Sequence, residues 1–149
     1  MNIHNQKADH LSRYVARIGA LTPENLGELE SLINKDIVFR DPFNETRGAK
    51  AYMHVMAHMF QILNHVRFDI HAQAGSGSQH FLYWTFSAEH GSLGKFEVEG
   101  MTRLELDEQG QIAAHIDYWD SDSAFMARIP VVGGLVRLLR KQMAIQIPD

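Results

Sequence analysis

The chain has no cysteine, which excludes disulfides, thiol nucleophiles and thiolate metal sites, and points to a cytoplasmic location. Its 4 prolines, at positions 23, 42, 130 and 148, leave long stretches free to form regular structure. No surplus of positive charge exists: the net charge of −4 gives no electrostatic footprint for nucleic acid, so none is expected as a partner. The first ten residues are polar and lack the apolar core of a secretion signal. Residues 129–136 form the longest apolar run, far short of a membrane span, and membrane contact is not expected. No glycine-rich phosphate loop occurs, so no cofactor is expected.

What is present is a chain of 149 residues, 45% hydrophobic and 21% charged, enough for one domain with a real core. Leu11, Tyr14, Val15 and Ile18 recur at helical spacing over residues 8–18, with Gly19 as a stop. Thr22 and Pro23 read as the cap and first residue of a second helix whose stripe is Leu26, Leu29, Leu32 and Ile33. A short strand over 37–39 leads into Asp41-Pro42. Residues 49–63 form a third helix, with Tyr52, Val55, Met56, Met59, Phe60 and Leu63 inward. The period then changes to two. Val66, Phe68, Ile70 and Ala72 alternate with polar neighbours, and residues 79–89 are apolar on both faces. Phe96, Val98, Gly100, Thr102, Leu104 and Leu106 share one face of the next strand, and residues 112–120 form the last. Past Pro130, residues 131–145 read as an amphipathic helix, within a C-terminal helical extension spanning 130–147 of the single 1–149 domain. Helices gathered on one side of a mostly antiparallel sheet make an α+β fold.

Asp41 either caps a turn before proline or lends its carboxylate to chemistry. Parity places His115, Asp117 and Trp119 on one face of the last strand; inward, that face sets a carboxylate and an imidazole in apolar surroundings. His54 and His58 stand one helical turn apart, but no H-E-x-x-H pattern accompanies them and no metal is expected.

The element order, together with Arg13-Tyr14-Val15-Ala16, Asp41-Pro42, Gly48 and His115-Ile116-Asp117-Tyr118-Trp119-Asp120, resembles the nuclear transport factor 2-like superfamily. Within it, the SnoaL-like and ketosteroid isomerase-like branches are the nearest in pattern. The resemblance implies a curved sheet wrapped around the N-terminal helices as a cone with an internal apolar pocket, and a homodimer formed through the outer sheet face. It implies a small apolar ligand and, in the catalytic members, acid–base chemistry on a carbonyl-containing or polycyclic substrate. Asp41 then falls at the general base, Tyr14 at the oxyanion donor and Asp117 at a second pocket acid. Val55, Met59, Phe68, Leu82, Trp84, Phe86, Val98, Thr102, His115 and Trp119 are the expected pocket lining. Thr102 stands where the isomerases keep a second, protonated oxyanion acid. Residues 82–86 supply neither the arginine nor the aspartate of the limonene-epoxide hydrolases, which counts against that activity. A non-catalytic module binding a hydrophobic ligand, or serving dimerisation, is the alternative.

Overall fold

Alternating burial along the strands sets the architecture. The structure, a computed structural model, describes residues 3–121 and, beyond them, positions 134, 138, 139, 141 and 142. Strands β1 (Ile33–Arg40), β2 (Glu45–Arg47), β3 (Leu63–Ser76), β4 (Gln79–His90), β5 (Gly94–Leu106) and β6 (Ile112–Trp119) form one six-stranded sheet in the order β2-β1-β6-β5-β4-β3. All neighbours are antiparallel except β1 and β6, which run parallel. Helices α1 (Ile3–Gly19) and α2 (Ala49–Ile62) and a 3-10 segment, Leu26–Leu32, complete an α+β fold with a curved, mostly antiparallel sheet. Met1–Trp119 and Asp120–Asp149 are two separate compact units.

In β5 every second residue from Phe96 to Leu106 is buried, as a sheet covered on one face requires. Leu82, Trp84, Phe86 and Ala88 of β4 share that face, whereas Phe81 and Tyr83 stand exposed on the other. Leu11, Tyr14 and Ile18 of α1 and Tyr52 and Met56 of α2 supply the helical part of the core. Gly48 donates its N–H to the Ile37 carbonyl at 2.8 Å with φ of +98°, a left-handed conformation suited to glycine, and so turns the chain from β2 into α2.

Four expectations change. The first helix begins at Ile3, not at residue 8. The second is a 3-10 segment rather than an α-helix. The Asn25 side chain bridges the Ala20 carbonyl (2.7 Å) and the Thr22 N–H (2.8 Å), closing a turn where the helix was to begin. Ile33 leaves it to open β1, which is correspondingly longer than residues 37–39. In β3 a register shift between Ile70 and Ala72 breaks the alternation and leaves Ala72 exposed. The expected helix over 131–145 and the extension over 130–147 lie for the most part outside the described residues.

Candidate functional site

On the covered face of the sheet, β6 places His115, Asp117 and Trp119 opposite Leu104, Thr102 and Gly100 of β5. The inward reading of Asp117 therefore matches the register. Gly100 also pairs with Trp84 of β4. A Cβ at Gly100 would come within 2.3 Å of the indole ring, so only glycine lets that ring lie across the strand. Lying there, Trp84 donates from Nε1 to Thr102 Oγ1 at 2.8 Å. The threonine hydroxyl has accepted one bond and donates its own proton to Asp117 Oδ1 at 2.5 Å. His115 Nε2 lies 3.0 Å from the same oxygen. Its Nδ1 is 2.7 Å from the Tyr14 hydroxyl on α1, which is itself 2.7 Å from the Tyr52 hydroxyl on α2.

The result is one continuous polar chain, Trp84–Thr102–Asp117–His115–Tyr14–Tyr52, through an apolar interior. A buried polar group left without a partner is costly, so a linked set of this kind holds three strands and two helices in a single arrangement. Tyr14 and Tyr52 are fully buried, Thr102 is 2% and His115 4% exposed, while the Asp117 side chain keeps 13% of its surface. The carboxylate is thus the most open of the charged or titratable members of the chain. Burial pushes both tyrosine hydroxyls well above the ordinary phenol value, and the charge of Asp117 adds to the effect in each.

Around this chain the expected lining residues separate into two groups. Leu82, Trp84, Phe86, Val98 and Thr102 are buried on the covered face of β4 and β5. Phe68, half-buried on β3, meets Phe86 and Trp84 with ring centroids 4.6 and 5.9 Å apart. Val55 and Met59 are half-buried on α2, as is Trp119 at the end of β6. Asp41 directly follows Arg40 in β1 as Asp117 follows its parallel partner Ile116 in β6. Its carboxylate, however, is engaged by its own turn. Phe43 N (2.8 Å) and Asn44 N (2.6 Å) donate to Oδ1, and Asn44 Nδ2 reaches both oxygens at 3.1 Å. That turn sets Phe43 edge-on against Trp119, centroids 5.4 Å apart, beside Asp117 in the strand. Tyr14 is in contact with the site, but its hydroxyl is bonded on two sides by protein. His54 and His58 are exposed on α2, and no cluster of three metal-ligating side chains occurs among the described residues.

Two members escaped the sequence reading. Tyr52 showed only as one of several inward residues of a helix, and Gly100 only as one position in an alternating strand. A glycine in the middle of an otherwise apolar strand face is the one available signal, marking a spot where a large ring lies close to the backbone.

A SnoaL-like domain model matches residues 11–115, about two thirds of the chain. The chain belongs to the SnoaL-like domain family. Solved structures share the fold. A steroid delta-isomerase from Pseudomonas aeruginosa is 24% identical with a TM-score of 0.62, covering 93% of this chain and 96% of its own. An LEH-like epoxide hydrolase from M. tuberculosis is 23% identical, TM-score 0.64, over 87% and 94%. A protein of ketosteroid isomerase-like fold from Catenulispora acidiphila, in complex with trimethylamine, is 19% identical, TM-score 0.67, over 76% and 88%. A search of curated proteins finds no match. For this SnoaL-like chain, no helix among the described residues is long and apolar enough to cross a membrane.

Proposed function

We propose that this SnoaL-like protein is an acid–base enzyme acting on small apolar carbonyl compounds, with Asp117 as the proton-transferring group. The observation that carries the reading is the seating of Asp117. Two side chains converge on its Oδ1 within an apolar face, and the carboxylate retains some exposure. Such a group is held in one orientation, as a general base must be. In the proposed step, Oδ2 accepts a proton from a carbon beside the substrate carbonyl. The C–H electron pair moves to form an enolate, and the protonated acid returns the proton to another carbon. Isomerisation follows if that carbon is the conjugated one; ring closure follows if the enolate carbon instead bonds to a second carbonyl carbon, whose π pair moves to oxygen, and the protonated acid then returns its proton to that alkoxide oxygen. Tyr14 is not assigned the oxyanion role, because its hydroxyl is engaged by His115 and Tyr52. Substrates with acidified C–H bonds, such as β-dicarbonyl or β,γ-unsaturated ketones, suit this arrangement best. Asp41 serves its turn in this scheme.

The test is hydrogen–deuterium exchange in D2O, followed by NMR, on a β-keto ester and a β,γ-unsaturated cyclohexenone. The protein is expected to accelerate exchange over buffer, and Asp117→Asn to lower the enzymatic rate by about 100-fold or more. No acceleration with either probe would favour the non-catalytic ligand-binding alternative, whereas acceleration that survives Asp117→Asn would remove Asp117 as the base.

A second copy of the chain is the partner we assign to the exposed part of the outer sheet face, where Ala114 and Ile116 of β6 are themselves buried. Tyr83 on β4, Met101 on β5 and Tyr118 on β6 are cross-strand neighbours, respectively 38%, 49% and 50% exposed. Arg103 lies beyond Met101 on one side of this ladder, with Arg40 over the Tyr118 ring at 5.9 Å; Glu97 and Glu99 lie on the other. A two-fold axis near Met101 would bring the arginines of one copy toward the glutamates of the other.

A further inference from the structure

Building on the assignment of Asp117, we infer that the His115–Asp117 pair works with its roles inverted relative to a hydrolase dyad: the histidine positions, the aspartate reacts, and Tyr14 and Tyr52 enforce that order. In the usual arrangement an imidazole exchanges protons with substrate while a buried carboxylate orients it. Here the imidazole is the buried partner, 4% exposed, with both ring nitrogens engaged.

The direction of the bonds follows from counting protons. The indole of Trp84 can only donate, so the Thr102 proton points to Asp117 Oδ1. With Asp117 ionised, Oδ1 accepts a second bond from His115 Nε2–H, which leaves Nδ1 as an acceptor. Tyr14 then donates to Nδ1 and accepts from Tyr52. Every proton in the chain is used, and all of them point toward the carboxylate. The reverse assignment puts a proton on Nδ1, turns Tyr14 toward Tyr52, and requires Tyr52 to donate elsewhere. Tyr52 is fully buried, and among the described residues Tyr14 is its hydrogen-bond partner. The tyrosine pair is therefore a closed end. A proton that Asp117 takes on Oδ2 is not drained inward through His115, because the ring could pass one on only by reversing both hydroxyls. It stays on the aspartate to be returned to substrate. His115, Tyr14 and Tyr52 are positioning residues in this scheme.

The experiment is ¹⁵N NMR of the His115 ring at neutral pH in the intact protein, with Tyr14→Phe and Tyr52→Phe beside the wild type. Expected is a single ring proton on Nε2, with Nδ1 resonating as a hydrogen-bonded acceptor. Tyr14→Phe should shift Nδ1 toward a free or protonated nitrogen. Tyr52→Phe, which keeps the aromatic ring beside His115 and removes only the hydroxyl bonded to Tyr14, should shift it by less in the same direction. A proton resting on Nδ1 in the wild type, or on both nitrogens, would overturn the inference, as would an Nδ1 signal unmoved by Tyr52→Phe. If Tyr14→Phe does not fold, the wild-type spectrum and Tyr52→Phe still decide. The measurement needs no substrate, so its failure is distinct from that of the enzymatic reading, which rests on exchange by Asp117→Asn.

Discussion

Gly100 is where a single atom decides the site. Replacing it with alanine sets a Cβ against the Trp84 ring, where the nearest atoms are 2.3–2.8 Å away, and the indole must swing off the strand. Overpacking of this kind costs about 1–3 kcal/mol. Gly100→Ala is therefore expected to lower the urea midpoint by that equivalent and to shift the indole N–H resonance of Trp84, as its bond to Thr102 is lost. The tyrosines offer a second measurement. Of the 4 in the chain, Arg103, through its hydrogen bond, holds exposed Tyr118 below the ordinary phenol value, with Arg40 assisting. The hydrogen bond from Tyr83 to Glu99 holds Tyr83 above it. Tyr14 and Tyr52 are raised by burial. An ultraviolet titration should then show Tyr118 ionising first, Tyr83 later, and Tyr14 and Tyr52 last, together with unfolding. The sign follows from linkage. Above about pH 10 the unfolded chain has released phenolic protons that the folded chain still holds, so stability present below that pH falls as it rises. The expected slope is about 1.4 kcal/mol per pH unit for each buried tyrosine. A flat stability profile from pH 9 to 11 would contradict it.

Between residue and fold lies the loop that joins β1 to β2. The Asp-Pro context of Asp41 allows a turn-former or a catalytic base; its hydrogen bonds from Phe43 and Asn44 describe the turn. Asn retains an oxygen that can accept those bonds, whereas alanine removes it. Asp41→Asn is expected to remain within about 1 kcal/mol of wild type, and Asp41→Ala to lose roughly 1.5–3 kcal/mol, the usual worth of hydrogen bonds to a charged group, by chemical denaturation. Deuterium exchange by Asp41→Asn should stay within a few-fold of wild type. A loss as deep as that of Asp117→Asn would return the base role to Asp41. The 3-10 segment carries a related lesson. Leu26, Leu29 and Leu32 have helical spacing, and Leu29 and Leu32 are buried as that spacing implies. Between the Asn25 bridge and the start of β1 at Ile33 these residues wind as a 3-10 segment, which the spacing of the leucines does not distinguish from an α-helix.

For the whole molecule, the apolar ladder on the exposed part of the outer face is the feature to test. Met101→Glu places a charge at its centre, between Tyr83 and Tyr118. If two copies associate there, sedimentation velocity should show the dimer of the wild type replaced by monomer. Circular dichroism should be unchanged, since Met101 makes no part of the core. A wild type that sediments as a monomer at micromolar concentration would remove the second copy from the proposal.

Periodicity alone determined a good deal. The alternation in β5 identified its buried face residue by residue, because a strand with one face covered must repeat every two positions. Parity likewise placed His115, Asp117 and Trp119 together. The polar chain itself was decided only by tertiary structure. Tyr14 meets His115 across 101 positions of sequence, and Tyr52 across 38, with the partners on different elements. Periodicity reports which face a side chain takes. It does not report which hydroxyl lies 2.7 Å from which ring nitrogen, since that depends on how α1 and α2 pack on the sheet. For the same reason Asp41 and Asp117 read alike as carboxylates, and only their neighbours separated the one that holds a turn from the one that faces the interior.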